Sequence, residues 1–298
     1  MKQLSLLEQR RLRRPGVSDA ECVARISEDV LEDLAEKPPV DLRVVASYCD
    51  IAQILVEPLP FAGCLGPEDG QLVMRLRAGD SRRRRRFTGF HEVGHSFQPG
   101  YSEGRHFRCQ SPSAQPAATS DAESLSDVAA VELLLPRRQF VPDLLGAPFG
   151  FGTVTQLADA YEASNQATAY RFQRFWPEPT LALVLAPGLR KDEEGKPGVE
   201  RKLRVRSSHR SSKPNWPYVP RNKSAEPEGS LTRALHGEDV DERASLSELG
   251  VEDAGPLELS ARRFSYLDAE GELHHRVLAL YRRIGAGSAP RAGRSRLA

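Results

Sequence analysis

The sequence predicts an α+β protein, and three observations carry that expectation. Helical stripes, such as Val23, Ile26, Val30 and Leu34, stand beside short strand-like runs, Ile51 to Val56 and Leu72 to Leu76. A second helical segment, DAESLSDVAAVELLL from Asp121 to Leu135, is stopped by Pro136. The C-terminal region then alternates apolar and polar residues as a sheet does, at Leu203 and Val205, Leu257 to Phe264 and Arg276 to Tyr281. At 298 residues the chain suits one large or two modest domains, and 39% apolar residues suffice for a core.

Residues 1 to 16 are basic and are expected to form a flexible arm. No run approaches the roughly 18 apolar residues of a membrane span, and the N-terminus lacks the apolar core of a signal peptide. Cys22, Cys49, Cys64 and Cys109 show no C-x-x-C pairing, which suits a reducing cytoplasm. A net charge of +1 excludes no class of partner. Ser18 and Glu21 read as a capping box opening a helix that stops before Pro38-Pro39, and Asp41 caps a short helix to Tyr48. A Gly/Pro-rich turn from Gly63 to Gly70 separates the two early strands, which predicts a small sheet.

The stretch RRRRRFTGFHEVGHSFQ, Arg82 to Gln98, follows that sheet. His91 and His95 lie one helical turn apart on one face, so their ring nitrogens can converge on a single ion. Glu92 stands next to the first histidine, where a carboxylate can take a proton from a water on the open side of a metal. The five arginines Arg82 to Arg86 invite a phosphate-binding reading. An exposed turn at the start of the helix is the stronger expectation.

A catalytic metal needs one more protein ligand. Glu123 and Asp127 share a face of the downstream helix: Glu123 can ligate while Asp127 accepts the spare ring N–H of a ligating histidine. Glu132, deeper in the apolar run, is the other candidate. Between the two helices lies a Gly/Ser/Pro-rich loop. It carries Tyr101 and His106, either of which can stabilise an oxyanion, and Cys109, midway between His95 and Glu123. A thiolate is a strong zinc ligand, so Cys109 is a candidate inhibitory fourth ligand, similar in idea to the cysteine switch of matrix metalloproteinases.

RRFTGFHEVGH followed by ESLSDVAAVELLLP resembles the ImmA/IrrE family of metallopeptidases. That family's hallmark is R-F-T-x-x-H-E-x-G-H, then E-x-x-x-(N/D)-x-F-A-x-x-L-L-x-P, and the likeness covers roughly residues 40 to 186. It implies a zincin-like domain over residues 17–187, with His91, His95 and Glu123 as Zn2+ ligands, Glu92 as general base and Asp127 on the family's Asn/Asp position. The chain departs from the pattern at Ala129, where Phe is usual, and at Gln98-Pro99. The resemblance further implies a site-specific endopeptidase whose substrate is a helix-turn-helix transcriptional repressor, and whose cut switches on a stress or phage-defence operon. The alternative is a non-catalytic protein that sequesters a repressor or nucleic acid.

Beyond Pro136, a helix capped by Thr153, a helix opened by Ser164 and a buried strand from Thr180 to Leu185 complete the first domain. Residues 187 to 197 read as a linker or long hairpin. Residues 188–285 form the expected regulatory domain, similar to the GAF-like sensory domains that often follow such peptidases, and 286–298 a disordered basic tail. Within the regulatory domain, Trp216 and Tyr218 stand among Arg204, Arg206, Arg210 and Lys213, a mixture of rings and cations that single-stranded DNA binding uses. Single-stranded DNA is therefore a candidate activator, and no membrane partner is expected.

Overall fold

A computed structural model describes residues 4–100, 107–109, 121–211, 216–252, 255–267 and 272–284, with the backbone alone at 107–109 and 267. The fold is α+β with two small sheets. Its elements are α1 (Leu6–Arg13), α2 (Asp19–Asp33), α3 (Leu42–Tyr48), β1 (Ile51–Glu57), β2 (Gly63–Glu68), β3 (Gln71–Arg77), α4 (Arg82–Ser96), β4 (Phe107–Cys109) and α5 (Asp121–Leu134). Then come α6 (Arg137–Leu144), α7 (Phe151–Ala160), α8 (Asn165–Phe175), β5 (Thr180–Gly188), β6 (Lys202–Arg210), α9 (Ser230–Leu235), β7 (Val240–Ala244), β8 (Leu257–Leu267) and β9 (Leu273–Arg283). Among the described residues no helix is long and apolar enough to cross a membrane.

The chain divides into two compact units, Met1–Pro142 with Ala158–Ser164, and Asp143–Leu157 with Asn165–Ala298. The expected boundary at 187/188 therefore moves toward the N-terminus. The reason is pairing: β5 lies inside the second sheet, hydrogen-bonded to β6 on one side and to β9 on the other.

In the first unit, Leu6–Arg13 of the basic N-terminus forms helix α1 where a flexible arm is expected. Ser5 and Glu8 cap α1 reciprocally, Leu7 is buried, and its N–H donates to the Phe97 carbonyl at 2.9 Å. Ser18 caps α2 by accepting from the Glu21 N–H. The Glu21 side chain turns instead to Arg25, so only half of the expected box forms. Asp41 caps α3 as its sequence predicts. The Gly63–Gly70 segment is not a turn throughout. β2 occupies most of it and pairs antiparallel with β3 across Asp69-Gly70, both at positive φ as a tight hairpin requires. The sheet order is β1-β3-β2-β4, with β1 and β3 parallel. Packed on this sheet and on α5, α4 carries Phe90, Val93 and Phe97 into the core.

The second unit is built on an antiparallel five-stranded sheet of order β6-β5-β9-β8-β7. Leu181, Leu183 and Leu185 alternate onto one face and pack with Val205, Leu259, Val277, Tyr281 and Leu231 of α9. Ala182, Val184, Leu278 and Leu280 are also buried, and the sheet packs against α8. With both faces covered, the strands read as near-continuous apolar runs, which is why TLALVL lacks alternation.

Candidate metal centre

Helix α4 starts at Ser81, whose hydroxyl accepts from the Arg84 N–H, and from Thr88 to Ser96 every residue is buried. An all-round buried helix needs partners on every face. The sheet supplies one. A Cβ on Gly63 of β2 would lie 2.6 Å from Thr88 Cγ2, so the strand backbone at Gly63 packs directly on the Thr88 side chain. Helix α5 supplies another, and Gly94 permits it: a Cβ at Gly94 would come within 2.8 Å of both Ala129 Cβ and Ser126 Cα. The small Ala129, where the resembled family has Phe, is what meets Gly94 across this contact. Gln98 closes the end of the pair, its amide N–H groups donating to the Ala122 carbonyl at 2.9 Å and the Ser126 hydroxyl at 2.8 Å. Gly94 and Gln98 thus set the helix spacing. Only the glycine had a signal in the sequence, since a helix-interior glycine costs stability unless close packing needs it.

That spacing brings the sequence-predicted residues together. His91 Nε2 lies 3.1 Å from Glu123 Oε2, and His95 Nε2 lies 3.5 Å from Glu123 Oε1. One ligating atom from each of the three falls within 4.8 Å of those of the other two. His91 Nδ1 meets Asp127 Oδ1 at 2.9 Å, so the carboxylate fixes that ring and leaves Nε2 for the cluster. His91 and His95 are both buried, their rings edge to face with centroids 4.9 Å apart. Two imidazoles, one carboxylate and an orienting second carboxylate match a metal ion in donor number and kind, and the group can hold one. Glu132, nine residues beyond Glu123 and so half a turn around α5, is not in the cluster.

The protonation of the metal-free cluster has clear causes. Burial opposes the charge on His91, but hydrogen bonds to Asp127 and then Glu123 outweigh it and carry the ring up to about 9. Burial, reinforced by the charge on His91, takes His95 down to about 4. Glu123 is held below its ordinary value by its hydrogen bond to His91. Glu92 is 0% exposed, and burial pushes its carboxyl up to about 8. His91 works against that shift and Glu123 with it, while the backbone at Leu65 of β2 gives a small offset.

The Cys109 side chain, Tyr101, His106 and Lys213 lie outside the described residues. The backbone of Cys109 pairs with Gly63 at the β4 edge of the first sheet.

Four of the five arginines of the run have polar partners, and Arg84 lies over the Phe87 ring. Arg82 bridges Glu162 at 2.8 Å, Arg83 bridges Asp159, Arg85 donates to the carbonyls of Ala78 and Asp80, and Arg86 donates to the Val40 carbonyl. The expected nucleic-acid stretch needs correction. Arg204 is 3% exposed and holds Glu193 at 2.8 Å and the carbonyls of Gly188 and Asn222, while Trp216 lies in the core of the second unit. Neither is free to meet a strand of DNA, because burial commits both to the fold. Arg206, Arg210 and Tyr218 retain exposed surface.

No family model matches the sequence, and no curated protein sequence matches it. In fold the chain is similar to the solved structure of a Mycobacterium tuberculosis transcriptional regulator, at a TM-score of 0.57 and 11% identity, over 88% of this chain and 76% of that one.

Proposed function

We propose that this chain is a zinc-dependent endopeptidase of the cytoplasm that cuts a helix-turn-helix transcriptional repressor and so derepresses a stress or phage-defence operon. The reading follows the resemblance to ImmA/IrrE peptidases, with the first unit in the zincin-like role and the second in that of a GAF-like regulator. One observation carries it: His91, His95 and Glu123 converge, Asp127 orients His91, and a buried carboxyl, Glu92, stands beside them. A purely structural metal site has no use for that last group.

His91 Nε2, His95 Nε2 and Glu123 would hold the zinc, which suits such a donor set and supplies Lewis-acid activation of a water and a peptide carbonyl. Glu92 would take the proton of the attacking water and return it to the leaving amine, a role its buried place beside His91 supports. Asp127 keeps His91 in the tautomer that offers Nε2. Among the described residues β4 is the outermost strand of its sheet, and it runs beside Leu65, whose backbone faces Glu92. An extended substrate can pair along such an edge and be read through alternate side chains. A likeness in fold to a transcriptional regulator is in keeping with a role in transcription.

The test is incubation of the zinc-loaded protein with the helix-turn-helix repressor encoded beside it, with and without single-stranded DNA. A single cut is expected, reduced about 10²- to 10⁴-fold in Glu92→Gln. A DNA requirement would identify the activator. A repressor that stays bound and uncut under both conditions would show the non-catalytic binding protein instead.

A further inference from the structure

A cleft of about 490 Å³ opens within the second unit, lined in part by Arg201, Arg206, Arg276, His274, His275 and Tyr266. Among the described residues no aspartate or glutamate lines it. Val184, Ala186, Pro187 and Leu273 add apolar surface to its lining, and Ser207 and Gln166 add neutral polar groups. Gln166 lies in the first turn of the eleven-residue helix α8, the end at which backbone N–H groups favour an anion.

The guanidiniums are held there by particular features of the fold. Arg206 is the extra residue of a bulge in β6: Ser207 pairs with Val184 and Val205 with Leu185, leaving Arg206 without a partner on β5. Bulges re-aim side chains in this way. Its guanidinium lies over Gly188, where a Cβ would occupy the space of Nη2. It donates to the Pro187 carbonyl and has no carboxylate partner among the described residues. Burial, then the charges of Arg204 and Arg221, lower its proton affinity, and Arg276 adds to that. Arg276 is braced by the Tyr266 ring, 4.1 Å from its Cζ, by the Tyr266 hydroxyl at 2.9 Å and by Gln166 Oε1 at 3.5 Å. Those hydrogen bonds use two of the five N–H groups a guanidinium carries.

Cations gathered and braced without acidic partners cost stability by mutual repulsion, and a bound anion removes that cost. Arginine is the side chain suited to grip phosphate oxygens in pairs. The volume lies within the range of small-molecule pockets, and the apolar part of the lining can cover an uncharged moiety. We propose that this cleft is a binding site for a small phosphorylated molecule of about mononucleotide size. The proposal does not depend on the peptidase reading.

Titration calorimetry on the full chain tests it, with AMP, inorganic phosphate, adenosine and a short single-stranded oligonucleotide as probes. AMP is expected to bind one to one, phosphate more weakly at the same site, and adenosine not at all. Arg201→Gln removes an exposed cation and Gly188→Ala pushes the Arg206 guanidinium aside without removing charge. Each is expected to weaken AMP roughly tenfold with the melting temperature unchanged, one charge-assisted contact being of that order. The proposal is overturned if AMP and phosphate show no saturable binding, if both variants bind AMP as the parent does, or if only the oligonucleotide binds.

Discussion

The cluster between α4 and α5 and the cleft beside β6 treat gathered charge in opposite ways. In the cluster both histidines face carboxylates, His91 with Glu123 and Asp127, and His95 with Glu123. Among the described residues three guanidiniums line the cleft and no carboxylate does. An array rich in carboxylate and imidazole is prepared for a cation, and an array of uncompensated cations for an anion. Arg204 sharpens the contrast. One residue from Val205 on the same strand, it is fully compensated by Glu193 and two carbonyls, so it belongs to neither site. Net charge along a segment does not distinguish these cases; the partners of each side chain do.

The largest expected effect breaks the cation side of the comparison. His95→Ala leaves two protein ligands where three are needed, and bound zinc, measured by elemental analysis after dialysis, should fall from about one equivalent to a trace. Asp127→Asn keeps all three ligands and removes only the orienting carboxylate, so zinc affinity should weaken about 10- to 100-fold. AMP binding at the cleft should be untouched by both. A variant that lost zinc and AMP together would show the two sites to be one linked system.

Next in size is Arg204→Met. The side chain is nearly fully buried and makes hydrogen bonds to two carbonyls and a carboxylate. Its loss leaves those acceptors unmet, and chemical denaturation of the second unit should show a destabilisation of about 3 kcal/mol. Affinity for single-stranded DNA, if the protein has any, should not change in the fraction that remains folded. A fall in DNA affinity with stability intact would return Arg204 to the interface its sequence context suggested.

Gly94→Ala probes the contact that gathers the candidate metal ligands. The new methyl would meet Ala129 Cβ and the Ser126 backbone at 2.8 Å, and backbone cannot yield as a flexible side chain does. Overpacking of this kind costs about 1–3 kcal/mol. The separation of α4 from α5 should also weaken zinc, since His91 and His95 are on one helix and Glu123 on the other. The paired variant Gly94→Ala/Ala129→Gly should recover part of both losses. Melting curves with and without chelator separate the two effects.

The convergence of His91, His95 and Glu123 was legible because its information is local. Helical period alone puts His91 over His95 and Glu123 over Asp127, and only the meeting of two helices had to be supplied by tertiary structure. The α+β class was legible for the same reason, from periodicity within segments. What failed was information held in partners distant along the chain. Leu7 anchors an arginine-rich N-terminus through a backbone bond to Phe97, ninety residues on, so the segment folds where composition predicts an arm. TLALVL joins the second unit because its strand neighbours are β6 and β9. β2 was read as turn because GCLGPE has weak strand propensity, and it is held by pairing on both sides. The cleft was invisible for a related cause: Arg206 and Arg276 come together only through strand order, and the bulge that aims Arg206 is a register fault without a sequence mark.

The smallest expected effect concerns the arginine run, the most conspicuous charge in the sequence. Arg83 bridges Asp159, and both side chains are substantially exposed, at 37% and 64%. An exposed pair gains little Coulomb energy in water and loses side-chain freedom, so Arg83→Ala should cost less than about 1 kcal/mol. The loss should shrink further as salt is raised from low ionic strength, because screening acts on exposed pairs. Arg86 is the internal control. It is largely buried, donates to the Val40 carbonyl at 2.9 Å and lies 3.6 Å from Glu162, so Arg86→Ala should destabilise more and respond less to salt. Equal and strongly salt-dependent losses at the two positions, accompanied by a loss of nucleic-acid affinity, would mean that the run works as one phosphate-binding patch and that the first unit, too, carries uncompensated charge.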